Sequence, residues 1–229
     1  MRIVLTGHGN MATAIRVAAG ERSILVESLE AVLKDPVTLA VDNDIVAIHV
    51  GSGRELPQLI NLCRFRGIPL IQGSTNCEPQ NYDRLIVVEA PNFSLPMIRF
   101  ISAFPDFARV LSPGMGIAIM ESHQAKKADV SGTARAIASL LDLDEHLIIS
   151  ERDPDEQRSI GIPEEHLGGH ALHCFAFEGS GVQISIATRI FGRETYALGA
   201  LDIAVALVGK AGRSLSPDVY PVTDILKLL

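Results

Sequence analysis

The stretch Glu121-Ser122-His123-Gln124-Ala125-Lys126-Lys127-Ala128-Asp129-Val130-Ser131-Gly132-Thr133-Ala134 gathers groups that do chemistry. A histidine exchanges its proton near neutral pH, a lysine four residues on is a fixed cation, and a Ser-Gly-Thr opening a helix offers N–H groups at the positive end of its dipole. His123 reads as a proton donor, Lys127 as a cation beside it, and Ser131, Gly132 and Thr133 as a cradle for a small carboxylate. The same residues also allow a plainer reading, in which Ser131 or Thr133 caps the helix and Lys126, Lys127 and Asp129 form a solvated loop.

A second pattern opens the chain. Gly7-His8-Gly9-Asn10-Met11-Ala12 fits G-x-G-x-x-G/A between a β-branched run and a helical one. There the first glycine makes a tight turn and the second lets a pyrophosphate approach the helix N-terminus. Glu27, about 20 residues on, is placed to accept hydrogen bonds from a ribose diol, a slight preference for NADH over NADPH. Arg22 or Arg54 could instead meet a 2′-phosphate from a loop.

Other constellations carry less. His166, His170 and His173 with Glu164 and Glu165 would suit a metal on a helix, but Gly168-Gly169 breaks that helix and the spacing is not H-E-x-x-H, so a loop and a strand start are expected and no metal. Gly179-Ser180-Gly181 lacks the spacing of a nucleophile elbow and reads as a turn. His8 and His49 read as structural or cofactor-adjacent. Cys63, Cys77 and Cys174 are far apart and read as reduced thiols.

The elements that must position these groups follow from apolar periodicity. Strands are predicted at Met1–Leu5, Ser23–Glu27, Asp44–Val50, Ile68–Gln72 and Leu85–Val88, alternating with helices, which is the rhythm of a parallel sheet covered on both faces. From about Pro96 the rhythm changes: a strand at Gly116–Glu121, a helix at Thr133–Leu141 and a strand at Gly181–Ala187 point to a second, α+β domain. Glu151 to Gly169 reads as a mobile loop, and Ala197 to Val208 as a helix. The 229 residues, 47% hydrophobic, can bury a sizeable core, and a net charge of -7 without a basic cluster argues against nucleic acid. No apolar run is long enough for a membrane span or a signal-peptide core, so a cytoplasmic protein is expected.

Taken in order, these motifs resemble the dihydrodipicolinate reductase family of the diaminopimelate and lysine pathway. Glu121 to Thr133 is similar to its E-x-H-H-x-x-K-x-D-x-P-S-G-T, Gly73-Ser74-Thr75 to its G-T-T, Ala90-Pro91-Asn92-Phe93-Ser94 to its A-P-N-F-S, and Thr188 to Ala200 to its H-R-A-x-S-R-x-x-F-A-x-G-A. The resemblance implies a Rossmann-like α/β domain (1–95 with 197–229) holding NADH or NADPH, and an α+β domain (96–196) that holds substrate and builds a homotetramer. It implies NAD(P)H-dependent reduction of a cyclic unsaturated imine dicarboxylate. His123 and Lys127 would be catalytic, and Gln124, Ser131, Gly132 and Thr133 would bind substrate. Gly7, Gly9, Asn10, Met11, Glu27, Gly73, Ser74, Thr75, Ala90, Asn92 and Arg193 would bind cofactor. The chain departs from the family at Gln124, where a second histidine is usual, at the missing proline before Ser131, and at Thr188, which replaces another histidine. These departures leave open a divergent reductase of another small carboxylate, or a non-catalytic nucleotide-binding paralogue.

Overall fold

The opening apolar run forms β1 (Arg2–Thr6), in which Ile3, Val4 and Leu5 are all buried. Alternation sends Ile3 and Leu5 to one face and Val4 to the other, so neither face of this strand can be left to water. In the computed structural model, which describes residues 1–35, 44–74, 77–109, 111 and 114–229, β1 lies inside a six-stranded sheet. The other strands are β2 (Leu25–Ser28), β3 (Ile45–His49), β4 (Leu70–Gln72), β5 (Ile86–Glu89) and β10 (Asp218–Pro221). Their order is β10-β5-β4-β3-β1-β2, and every pairing is parallel.

Helix α1 (Asn10–Glu21) and α7 (Glu194–Val208) cover the Ile3 and Leu5 face through Ile15, Ala200, Leu201 and Ala204. The other face is covered by α2 (Leu29–Lys34) and α3 (Leu56–Arg66) through Leu29, Val32, Leu59 and Cys63. The chain leaves β1 for β2 on one side and then crosses to β3 on the other. This is the topological switch point at whose strand C-termini such folds hold ligands. The sheet and its helices make one compact unit, Met1–Arg99 with Glu194–Leu229, closed by α8 (Val222–Ile225).

Phe100–Arg193 forms a second unit. Its four-stranded sheet, β7-β6-β8-β9, is built from β6 (Gly116–His123), β7 (Ile149–Glu151), β8 (His170–Gly179) and β9 (Val182–Phe191). β7 runs parallel to β6, and β8 runs antiparallel to both β6 and β9. One face packs Ile119, Phe175 and Phe177 against α5 (Gly132–Leu140) and against Phe100, Phe104 and Phe107 from the later part of α4 (Leu95–Ala108). β8 and β9 join through Ser180 (φ 53°) and Gly181 (φ 79°), a two-residue hairpin turn with both residues left-handed.

One expectation is corrected. The segment from Glu151 to Gly169 is not a bare loop: it contains the end of β7, the short helix α6 (Pro154–Ser159) and a turn of 3₁₀ helix at Glu164–His166. Asp153 caps α6 by accepting hydrogen bonds from the Asp155 and Glu156 N–H groups at 2.8 and 3.2 Å, and Pro154 supplies a preset φ at the first helical position. The strand start expected near His170 opens a ten-residue strand, β8, while α2, α4 and β7 were not anticipated. Among the described residues no helix is long and apolar enough to cross a membrane.

Candidate active site

Strand β6 carries the centre of the second unit's polar network. Glu121 and His123, two residues apart, share a face, and Ser122 takes the other, where its hydroxyl meets His170 Nε2 at 2.9 Å. Glu121 is wholly buried. One of its oxygens meets His123 Nδ1 in a short contact; the other accepts from Arg152 at 2.5 Å and from Ser150, its register partner on β7, at 2.6 Å. Burial alone would raise this carboxyl's pKa, but bonds from His123, Arg152 and Ser150 outweigh it and hold the group at about 2. Glu121 is therefore a fixed anion, and it orients the His123 ring so that Nε2 is the nitrogen left for proton exchange. Gln157 of α6, also wholly buried, donates to the His123 carbonyl at 2.8 Å and fixes the backbone as well.

Beyond β6 the chain turns, with the Lys127 N–H donating to the Gln124 carbonyl at 2.9 Å and Arg152 Nε donating to the Lys127 carbonyl at 2.9 Å. Lys127 is half-buried, and its ammonium makes no ion pair among the described residues. Ser131 caps α5, accepting from the Ala134 N–H at 3.1 Å. The plainer reading of Ser131 is thus correct as far as it goes, but the same hydroxyl also lies 2.9 Å from His173 Nε2. His173 Nδ1 lies 3.3 Å from the Thr188 hydroxyl, across the β8–β9 pair, and its ring meets His123 edge-on at 5.3 Å between centroids. Burial, reinforced by the charge of His123, holds His173 down at about 3, so the ring is neutral. Gly132 is exposed and Thr133 half-buried at the open end of α5.

The three histidines of the discarded metal reading diverge. His166 stacks on Phe191, His170 turns to Ser122 and His173 to Ser131. Arg193 lies against the Gly168-Gly169 turn of this unit.

In the first unit, Gly7 has φ +112°, and a Cβ there would lie 2.9 Å from the Val50 carbonyl group, so no other residue fits without displacing the backbone. A Cβ on Gly51 would meet Gly7 Cα at 3.2 Å, which brings the ends of β1 and β3 together. Gly9 faces open space, and α1 begins there with no side-chain cap and no acidic residue in its first turn. That leaves helix N–H groups facing an empty approach, the arrangement a pyrophosphate needs. Asn10 is exposed and Met11 half-buried at this end.

Glu27 is half-buried, and Arg2 meets one of its oxygens at 3.3 Å. Ser74 donates to the Gly51 carbonyl at 2.7 Å, tying the two turns together, while Phe93 closes over Gly73. Ala90 is fully buried in the core, and the Asn92 side-chain oxygen accepts from the Ser94 N–H at 2.8 Å. Thr75 lies outside the described residues. His8 is exposed, whereas His49 is buried with Nδ1 2.7 Å from the Gln72 side-chain oxygen.

A family model described as dihydrodipicolinate reductase, C-terminus, matches residues 97–226. The chain belongs to the dihydrodipicolinate reductase family. A 4-hydroxy-tetrahydrodipicolinate reductase of Anaeromyxobacter dehalogenans is 30% identical over 224 residues, covering 88% of this chain and 80% of its own length. A probable chloroplastic 4-hydroxy-tetrahydrodipicolinate reductase 1 of Oryza sativa subsp. japonica is 29% identical over 216 residues, with 87% and 61% covered. The chain spans 51–61% of the length of the plant reductases it matches. A dipicolinate-bound dihydrodipicolinate reductase from Paenisporosarcina sp. TG-14 shares the fold, with TM-score 0.64 at 17% identity over 98% of this chain and 99% of that one.

Within the dihydrodipicolinate reductase family pattern, the sequence pointed to His123 and Lys127 and passed over Glu121, Arg152 and His173. Glu-x-His on a strand was the available signal for Glu121, because residues two apart share a face. Arg152 and His173 reach the site only through strand pairing, which no local pattern encodes.

Proposed function

We propose that this protein reduces a cyclic unsaturated imine dicarboxylate of the 4-hydroxy-tetrahydrodipicolinate type with NADH or NADPH. Membership of the reductase family supports this, and the observation that carries it is the buried Glu121 carboxylate fixing His123 in the unit that also holds Lys127, which makes no ion pair among the described residues, and the open N-terminus of α5. Gly7, Gly9 and the first turn of α1 would hold the pyrophosphate, with Glu27 and Ser74 as further contacts to the cofactor. NADH or NADPH, when bound, supplies a hydride. Gly132 and Thr133 N–H groups and the Thr133 hydroxyl receive a substrate carboxylate, with Gln124 hydrogen-bonding through its amide. His123 delivers a proton from Nε2 to the nitrogen or carbon that has gained charge, and the Lys127 ammonium stabilises that charge beforehand.

Purified protein supplied with enzymatically generated 4-hydroxy-tetrahydrodipicolinate should oxidise NADH, followed by its absorbance. Glu27→Ala should weaken NADH binding more than NADPH binding in calorimetry. A folded wild-type protein that binds NADH yet oxidises it with no such substrate would overturn the reductase reading in favour of a nucleotide-binding paralogue.

We also propose a homotetramer in the cytoplasm. The second unit's sheet is packed with aromatics on one face, and on the other Ala118, Met120, Cys174, Ala176, Ser185 and Ala187 present small and apolar groups suited to a second copy. Sedimentation as a monomer at micromolar concentration would sink that assembly. All three cysteines are free, the state expected in a reducing compartment, and burial pushes the Cys63 thiol up to about 12 and so makes it unreactive.

A further inference from the structure

Ser131 has a problem if it is to serve a ligand. A hydroxyl has one proton to donate, and in one tautomer of the network that proton is already taken: Ser131 Oγ receives the Ala134 N–H, and a neutral His173 ring with its proton on Nδ1 offers Nε2 as acceptor at 2.9 Å. With Ser131 donating to Nε2, the ring proton sits on Nδ1 and points at the Thr188 hydroxyl. Each group is satisfied, and Ser131 has nothing to give a carboxylate.

We propose that Thr188, His173 and Ser131 form a reversible relay that releases the Ser131 hydroxyl to a bound carboxylate by exchanging the two tautomers of His173. In the second arrangement Nε2–H donates to Ser131 Oγ, the Thr188 hydroxyl donates to Nδ1, and Ser131 donates its own proton outward. One ring proton moves from Nδ1 to Nε2 by exchange with water, and the net charge does not change. Every buried polar atom of the trio keeps a partner in both arrangements, which an apolar side chain in place of His173 could not achieve. Thr188 works at its end because a hydroxyl both donates and accepts. His173 also packs edge-on against His123, so the cradle and the proton donor share one rigid wall. His173 and Thr188 are positioning residues here, acting through Ser131.

This inference rests on the carboxylate cradle at α5, and its test separates the two. Nitrogen-15 shifts of the histidines in the full chain distinguish a protonated ring nitrogen from a bare one, and pyridine-2,6-dicarboxylate is the probe. The free protein is expected to carry the His173 proton on Nδ1, and saturation with the dicarboxylate to move it to Nε2. Thr188→Val should weaken the dicarboxylate about 3- to 10-fold by calorimetry, with NADH affinity unchanged, and Thr188→Ser should restore it. No binding of the dicarboxylate to wild type overturns the cradle and the relay with it. Binding with the same tautomer in both states, or with equal affinity in Thr188→Val, overturns the relay alone.

Discussion

Replacing His123 by alanine is expected to lower kcat by about 10²–10⁴-fold while NADH affinity stays nearly unchanged, because general acid catalysis contributes on that scale and the residue lies in the unit without the glycine turn. Lys127→Ala should also lower kcat, with some loss of substrate affinity if its ammonium meets a carboxylate as well as the developing charge. Gln124→His sharpens the comparison, since it restores the histidine pair usual in the family. Higher turnover in that variant assigns Gln124 to the carboxylate contact. A His123→Ala protein with undiminished kcat would remove the proton donor from the mechanism.

The second large effect belongs to Glu121. Its carboxyl is held at about 2 in the folded protein against an ordinary 4.5, so the folded state favours the ionised form. A depressed carboxyl contributes stability that is fully present above the unfolded value and is lost as pH falls toward the folded one. The window therefore runs from about 4.5 down to about 2, and a displacement of that size is worth on the order of 3 kcal/mol. Glu121→Gln keeps the shape but leaves Arg152 without its buried counter-charge, so it should be less stable than wild type by about that amount at pH 7. Urea unfolding along a pH series should show the two proteins converging as the medium is acidified. Parallel curves would mean that folding leaves the Glu121 pKa unshifted. Turnover should fall too, because His123 loses the carboxylate that fixes its ring.

Where the chain speaks locally, the sequence is legible. The run at Ile3-Val4-Leu5, the glycine turn after it and the helix that follows are all set by neighbours in sequence, and β1, Gly7 and α1 sit where periodicity and turn chemistry put them. β8 was harder to read. It is a central strand whose first four residues are all buried, and its His-Ala-Leu-His start lacks the alternation that a half-exposed strand shows. Pro96 and Pro105 likewise disguised α4. In the candidate site, His123 and Lys127 stand out because their spacing is short. Arg152 and His173 do not, since each is brought in by a neighbouring strand, and burial then converts an ordinary histidine into a neutral wall.

The first unit is assembled from both ends of the chain, with the whole second unit intervening between Arg99 and Glu194. Translation at roughly 5–20 residues per second delays α7 by about 5–20 s after the last residue of the first segment has been made. Through that interval the sheet face lined by Ile3, Leu5 and Val46 has α1 but lacks the helix that finishes its cover, and β5 still lacks its outer neighbour β10. The second unit, made from one uninterrupted segment, has no such wait. Newly made copies of this protein therefore emerge with their middle able to fold before their beginning, and during that time the glycine turn at Gly7 rests on a sheet that is not yet finished.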